Sequence, residues 1–124
     1  ACPAPTRLIA VTALTSLDDA DMAAMGVGDG AAAQVARLAG LTRAAGLDGI
    51  VCSPHEVASM KAAWPNGYFV VPGVRPAGAE LGDQKRVMTP RDALAAGASM
   101  LVIGRPITGA SDPAAAAAAI AASL

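Results

Sequence analysis

Two loops late in the chain carry the residue types that bind an anion. The first contains Arg75, Gln84 and Lys85, and the second begins with Gly104 and Arg105. A glycine lets a backbone N–H group approach an anion closely, and an arginine can donate two parallel hydrogen bonds to a pair of phosphate oxygens. The amide of Gln84 can donate to the same group. These residues predict a phosphate site. The alternative is that Arg105 only forms a salt bridge at the surface.

Other polar residues follow apolar runs, but their chemistry is less specific. Thr15 and Ser16 come after the first run, where they either contact a polar ligand or make local hydrogen bonds. His55 falls in the first turn of a predicted helix, where a solvated side chain is more common than a catalyst. Cys52 is expected to pack as a buried thiol, because no partnered base is evident. No group of His, Cys, Asp and Glu has the spacing of metal ligands, so no metal site is predicted.

Alternating strand-like and helix-like segments must position these residues. Short apolar runs predict four buried strands, at residues 8–14, 49–52, 68–71 and 100–103. Helices are predicted at about 31–45, at 53–64, at 89–97 and from Asp112 onward. The second of these helices is predicted to start with Ser53 as N-cap, Pro54 at N1 and Glu56 at N3. Residues 26–30, rich in glycine, are interpreted as a flexible connection, because no strand directly precedes them.

The repeated strand–helix order predicts an α/β fold with a parallel sheet and right-handed crossovers. Units of roughly 30 residues are typical of a TIM-type barrel, which binds ligands at the carboxyl ends of its strands. A closed barrel of eight strands needs ~250 residues, whereas this chain has 124. We therefore predict half a barrel, with residues 1–124 as a single unit of four βα repeats. Its open edges and uncovered apolar face predict association with a missing half or with a second copy.

Composition excludes several classes of protein. Hydrophobic residues make up 54% of the chain and charged residues 15%, which excludes a chain disordered throughout. A net charge of −1 and only one Trp, one Tyr and one Phe argue against a nucleic-acid partner. The apolar runs are too short to cross a membrane, and the first residues do not resemble a signal peptide. Cys2 and Cys52 form no disulfide framework, so a reduced, cytoplasmic location is expected.

Five segments occur in an order and at a spacing that resemble one family. They are residues 8–16, 46–53, 72–76, 82–90 and 101–108. Together they resemble the C-terminal half of bacterial orotidine 5'-monophosphate decarboxylase, from about residue 7 to residue 124. The resemblance implies strands five to eight of a TIM-type barrel, usually a homodimer. It also implies conversion of orotidine 5'-monophosphate (OMP) to UMP and CO2 in pyrimidine synthesis, without metal or organic cofactor.

The resemblance also implies which residues bind the nucleotide. Thr15 matches a position that contacts the nucleotide near its base, and Gln84 matches one that bridges phosphate and pyrimidine. Gly104 and Arg105 match the residues that hold the phosphate. Arg75 matches the arginine of the family's Pro-Gly-x-Arg-Pro motif. These five are the predicted substrate-binding residues.

The family's catalytic segment has no counterpart here. Its Asp-x-Lys-x-x-Asp motif is absent, and the only lysines are Lys61, in a predicted helix, and Lys85, in the phosphate loop. Decarboxylation builds carbanion character at C6 of the pyrimidine, which an ammonium held between carboxylates stabilises. We therefore predict no catalytic residue in this chain and no activity of the chain alone. The first six residues resemble the end of a helix-to-strand connection, which favours a chain cut from a longer protein. The alternative function is a non-catalytic, self-associating half-barrel that at most binds phosphate.

Overall fold

The structure, a computed structural model, describes residues 5–76 and 88–124. Helices and strands alternate through these ranges. They are β1 (Ile9–Val11), α1 (Asp19–Ala24), α2 (Gly30–Ala44), β2 (Gly49–Val51), α3 (Val57–Ala63), β3 (Tyr68–Val71), α4 (Pro90–Ala95), β4 (Met100–Leu101), α5 (Arg105–Thr108) and α6 (Pro113–Ala122). No helix within the described ranges has the length and apolar character needed to cross a membrane.

The four strands form one parallel sheet in the order β1-β2-β3-β4. Spatial order equals sequence order, so each connection leads to the neighbouring strand and passes through at least one helix. Within the described residues, β1 and β4 each pair on one side only. The predicted architecture of parallel strands with alternating helices is confirmed.

The core lies on one face of this sheet. Ile50 and Phe69, from the two central strands, are fully buried and share a cluster with Val35 of α2 and Val57 of α3. Trp64, at the end of α3, packs edge-on against Phe69, with 6.3 Å between the ring centroids. Burial of these side chains against α2 and α3 is the main apolar contribution that holds the helices to the sheet.

The opposite face is also apolar, and no described helix covers it. In-register pairing aligns Val11, Val51, Val70 and Met100 in one row across the four strands. Val11 is 60% exposed and Met100 is 49% exposed, while Val102, directly after β4, is 47% exposed. The uncovered apolar face expected from the sequence is therefore present in the described residues.

Helix α1 was not predicted. The Asp18 carboxylate accepts the backbone N–H of Asp21 at 3.0 Å, and the Asp21 carboxylate accepts the N–H of Asp18 at 3.0 Å. This reciprocal capping box starts a helix of six residues in which Met22 alone is buried. A single buried position gives no apolar periodicity, so the sequence pattern did not predict this helix. The four-residue α5 escaped prediction for the same reason.

Helix α3 begins later than predicted. The Ser53 backbone N–H donates to the Glu56 carboxylate at 2.9 Å, as a capping box requires. However, residues 53–56 form a turn in which the Glu56 N–H donates to the Ser53 carbonyl at 3.1 Å. The helix itself runs Val57–Ala63, so the prediction of Pro54 as its first residue is wrong. The same Ser-x-x-Glu hydrogen bond serves a turn and a helix start, and the sequence does not separate the two.

Candidate functional site

The carboxyl ends of the four strands lie at one edge of the sheet, and predicted site residues follow three of them. Thr15 follows β1, Arg75 follows β3, and Gly104 and Arg105 follow β4. Gln84 lies outside the described residues. In parallel α/β proteins, the loops at this edge build the ligand site.

Thr15 lies in a turn beyond β1. The strand is shorter than the predicted run of residues 8–14, because its ladder ends with a hydrogen bond from Thr12 N–H to the Val51 carbonyl at 3.2 Å. A turn then follows, in which the Leu17 N–H donates to the Leu14 carbonyl at 3.1 Å. Thr15 is buried in this turn. The backbone thus holds the threonine at the carboxyl edge, and its contact with a nucleotide stays a prediction.

Arg75 lies shortly before residues 77–87 in the sequence, the undescribed range that includes Gln84. Val74 and Met88 form an isolated parallel bridge, and the Arg75 N–H donates to the Met88 carbonyl at 2.9 Å. The Arg75 guanidinium donates to the Val74 carbonyl at 2.8 Å, and the residue is buried. These contacts hold Val74 and Arg75 beside Met88. They give Arg75 a structural role at this position, and its contact with substrate stays a prediction.

Gly104 and Arg105 form the junction between β4 and α5. The Gly104 carbonyl accepts the N–H groups of Ile107 and Thr108 at 2.8 and 3.0 Å, which closes the first turn of α5. A Cβ atom at Gly104 would meet nothing within 4 Å, and Arg105 is exposed. Packing among the described residues therefore does not explain a glycine at this position, which leaves close approach of a ligand as a physical reason for it.

A buried carboxylate, that of Glu56, lies at the same edge of the sheet. The sequence pattern did not predict it as part of the site region. Glu56 and Ser53 are both buried in the loop after β2, between the loops that hold Thr15 and Arg75. The Glu56 carboxylate accepts hydrogen bonds from the N–H and the hydroxyl of Ser53. The Ser-x-x-Glu spacing was visible in the sequence but was interpreted only as a helix cap. The pair fixes the path of this loop.

Replacing Glu56 with alanine is expected to cost about 1–3 kcal/mol of unfolding free energy, because two buried donors on Ser53 lose their acceptor. Glu56→Gln keeps an acceptor oxygen and is expected to lose less. Urea denaturation of the purified variants measures both effects. Asp29→Ala is the control, because Asp29 pairs with Arg37 on the exposed surface, where a salt bridge contributes at most about 1 kcal/mol. Equal losses for Glu56→Ala and Asp29→Ala would contradict this structural role.

Other reactive residue types do not converge on this edge. His55 is exposed, and Cys52 is fully buried in the core. Lys61 lies in the last turn of α3, and its Nζ donates to the Pro65 carbonyl at 2.7 Å, just before β3 begins. Lys61 is therefore near the amino edge of the sheet, while Lys85 lies outside the described residues. Nor do the described parts of the chain contain three or more His, Cys, Asp or Glu residues placed to hold a metal.

Comparison with known proteins gives consistent matches along the chain. The model of the "Orotidine 5'-phosphate decarboxylase / HUMPS family" matches residues 3–120. The orotidine 5'-phosphate decarboxylase of Novosphingobium aromaticivorans is 65% identical over 119 residues, which are 96% of this chain and 53% of that protein. The same enzyme of Thermobifida fusca is 58% identical over 120 residues, covering 96% of this chain and 52% of that protein.

A solved structure gives the same result. The crystal structure of orotidine 5'-phosphate decarboxylase from Lactobacillus acidophilus superposes with a TM-score of 0.76 at 38% sequence identity. The superposition covers 97% of this chain and 51% of that one. The chain thus spans about half the length of the relatives it matches.

Proposed function

Because this chain belongs to the orotidine 5'-phosphate decarboxylase / HUMPS family, we propose that it carries the nucleotide-binding half of a decarboxylase. The proposed reaction converts OMP to UMP and CO2, in pyrimidine synthesis. The observation that carries this proposal is the arrangement of Thr15, Arg75 and Arg105. They lie on three loops at the carboxyl edge of one parallel sheet, where enzymes with parallel α/β folds bind their ligands.

The phosphate is proposed to bind at Gly104 and Arg105. The exposed Arg105 guanidinium is suited to donate two charge-assisted hydrogen bonds to a phosphate. Gly104 leaves room for close approach of the ligand to the backbone. Gln84 is assigned to the same ligand through the family resemblance, as the residue that bridges phosphate and pyrimidine. Thr15 is assigned to the part of the nucleotide near its base.

Arg75 is proposed as the fifth binding residue, and its contacts also hold Val74 and Arg75 beside Met88. Its guanidinium is hydrogen-bonded to the Val74 carbonyl, and its N–H is bonded to Met88. A charged group held in this way adds positive potential near the carboxyl end of β3. The cation therefore supports binding of a dianionic phosphate even where another group makes the direct contact.

The chemical step is proposed to require residues from another half of a barrel. The described lysine, Lys61, lies at the amino edge, away from the proposed nucleotide site. A lysine–carboxylate segment elsewhere would supply the ammonium and the proton, with no metal or organic cofactor. For the whole enzyme we propose a homodimer in the cytoplasm, with residues 1–124 as one unit of its barrel.

Titration of the chain with UMP in a calorimeter tests the binding site. Arg105→Ala is expected to weaken UMP binding by about 1.5–3 kcal/mol, or roughly 10- to 150-fold, because a charge-assisted bidentate contact is lost. Arg37→Ala is the matched control, since it removes the same charge from the exposed surface of α2, where Arg37 pairs with Asp29. Its affinity for UMP should equal that of the parent chain.

Two results contradict the proposed site. One is an Arg105→Ala variant that binds UMP as tightly as the parent chain. The other is the absence of any saturable UMP binding by the parent chain. Equal weakening by Arg37→Ala would point to general charge attraction instead of a built phosphate site.

A further inference from the structure

The glycine-rich segment, residues 26–30, joins α1 to α2 through defined contacts. The Gly26 N–H donates to the Ala23 carbonyl at 3.0 Å, and the Val27 N–H donates to the Met22 carbonyl at 2.9 Å. This pair of hydrogen bonds is a Schellman motif, and Gly26 has the left-handed φ, +85°, that the motif requires. The start of the segment is therefore fixed to the end of α1.

The first turn of α2 finds an acceptor on α1 instead of at its own start. Asp29 directly precedes α2, but its side chain makes no capping hydrogen bond in the described first turn and pairs with Arg37. The N–H of Ala31, a buried residue, donates to the Asp19 carboxylate at 2.8 Å. A carboxylate at this place satisfies a donor that the helix itself leaves unpaired, and the positive end of the helix dipole stabilises it.

Gly30 lets the two helices make this contact. Its φ is +82°, in the left-handed region that favours glycine. A Cβ atom on Gly30 would lie 2.9 Å from an oxygen of the Asp19 carboxylate and 3.2 Å from its carboxyl carbon. Backbone conformation and space thus both require glycine at the position where Asp19 approaches α2. Two independent features therefore fit the same contact between the helices.

The turn that contains Thr15 is held between β1 and α1. On the side of β1, the Thr12 hydroxyl and N–H both donate to the Val51 carbonyl, at 2.6 and 3.2 Å. On the other side, α1 is anchored by the buried side chain of Met22 and by the contact of Asp19 with α2. A short turn fixed at both ends holds its side chains in place before a ligand arrives, which reduces the free energy spent on ordering them.

From these contacts we propose that Asp19 is a positioning residue for nucleotide binding, which holds Thr15 in place through the first turn of α2. The inference rests on the proposed function, in which Thr15 contacts the nucleotide near its base. Asp19 is exposed and is not proposed to touch the ligand. Without its carboxylate, α1 is released from α2, and binding must order the Thr15 turn. The loss of affinity is confined to the base end of the ligand.

Calorimetric titration of the purified chain with UMP and with ribose 5-phosphate, which lacks the base, tests this proposal. Asp19→Ala is expected to weaken UMP binding about 2- to 10-fold, the range that corresponds to one neutral hydrogen bond. Binding of ribose 5-phosphate should not change. Asp19→Asn keeps an acceptor oxygen and should retain most of the affinity for UMP. Asp29→Ala is the matched control, because it removes the same side chain at the start of α2 without removing a cap.

A double-mutant cycle separates positioning from a general effect on the fold. In a Thr15→Ala background, Asp19→Ala should weaken UMP binding no further, because the side chain that it positions is gone. Additive losses overturn the proposal. Unchanged UMP affinity in Asp19→Ala also overturns it, as does an equal loss for UMP and ribose 5-phosphate, which a disturbed fold would produce.

Hydrogen exchange gives a second test that needs no ligand. The Leu17 N–H donates to the Leu14 carbonyl within the Thr15 turn. Asp19→Ala is expected to speed exchange of this N–H at least about fivefold, as loss of a helix cap would, while Asp29→Ala leaves it unchanged. Equal exchange in the two variants overturns the positioning role. A parent chain that binds no UMP contradicts the proposed function instead, and exchange then still decides whether Asp19 orders the turn.

Discussion

Incubation of the purified chain with OMP is expected to produce no UMP above the rate of the buffer. Carbanion character at C6 requires a nearby cation and a proton donor, and among the described residues no lysine lies at the carboxyl edge to supply them. Lys61 is hydrogen-bonded to the Pro65 carbonyl at the other end of the sheet. Without this cation the chain lacks electrostatic stabilisation of the carbanion, which is usually the largest single contribution to an enzyme's rate enhancement. We therefore expect no measurable acceleration.

The assay follows the change in pyrimidine absorbance, with the Novosphingobium aromaticivorans decarboxylase, about twice as long, as the positive control. Turnover by the lone chain would contradict the prediction. Lys61→Ala and Lys85→Ala would then show which lysine, if either, supplies the missing ammonium. We expect the chain to bind UMP in the titration and to show no turnover of OMP. This combination would place nucleotide binding and the chemical step in different parts of a barrel.

Substitution of Gly49 by alanine is expected to disrupt the sheet. Gly49 lies in β2, paired with Ile9 on one side and Tyr68 on the other. A Cβ atom there would lie 1.8 Å from the Tyr68 carbonyl oxygen and 2.6 Å from its carbonyl carbon. Neither strand can move away without breaking the pairing that holds the centre of the sheet. The cost is expected to exceed the 1–3 kcal/mol that is usual for overpacking, a large part of the ~5–15 kcal/mol that stabilises a typical domain.

Thermal melting followed by circular dichroism measures this effect. Gly40→Ala is the control, because Gly40 lies within α2 and its Cβ would meet nothing within 4 Å. Alanine in a helix interior is favoured over glycine by about 0.5–1 kcal/mol, so this control should melt at the same temperature or higher. A Gly49→Ala variant that melts like the parent chain would contradict the prediction.

The sequence predicted the strand positions well because short apolar runs between turn residues identify buried parallel strands. It could not predict which face the helices cover. Residues 68–71 are Tyr-Phe-Val-Val, with no alternation, yet Phe69 and Val71 are fully buried while Tyr68 and Val70 are only partly buried. An unbroken apolar run is typical of a strand buried on both faces. The pattern therefore fits a closed barrel, while the described residues cover only one side of this strand.

Local hydrogen bonding explains most of what the sequence could not predict. Asp18 and Asp21 start α1 through reciprocal contacts, and Ser53 and Glu56 use a similar contact to form a turn instead of a helix start. Short polar motifs of this kind stabilise several conformations with similar free energies, and tertiary packing selects among them. At the candidate site, the positions of Thr15, Arg75, Gly104 and Arg105 followed from the strand order. The structural contacts of Arg75 required coordinates.

The identity of spatial order and sequence order has a consequence for how the chain unfolds. Each strand–helix unit contacts mainly the units next to it, so the sheet resembles a short linear array of repeats. In such an array, stability is approximately a sum of unit and nearest-neighbour terms, and the terminal units have one neighbour fewer. The outer strands, of three and two residues, are then the first to open, while the β2–β3 pair persists. A linear array has two such ends, whereas a ring has none, so ring closure would make unfolding more cooperative.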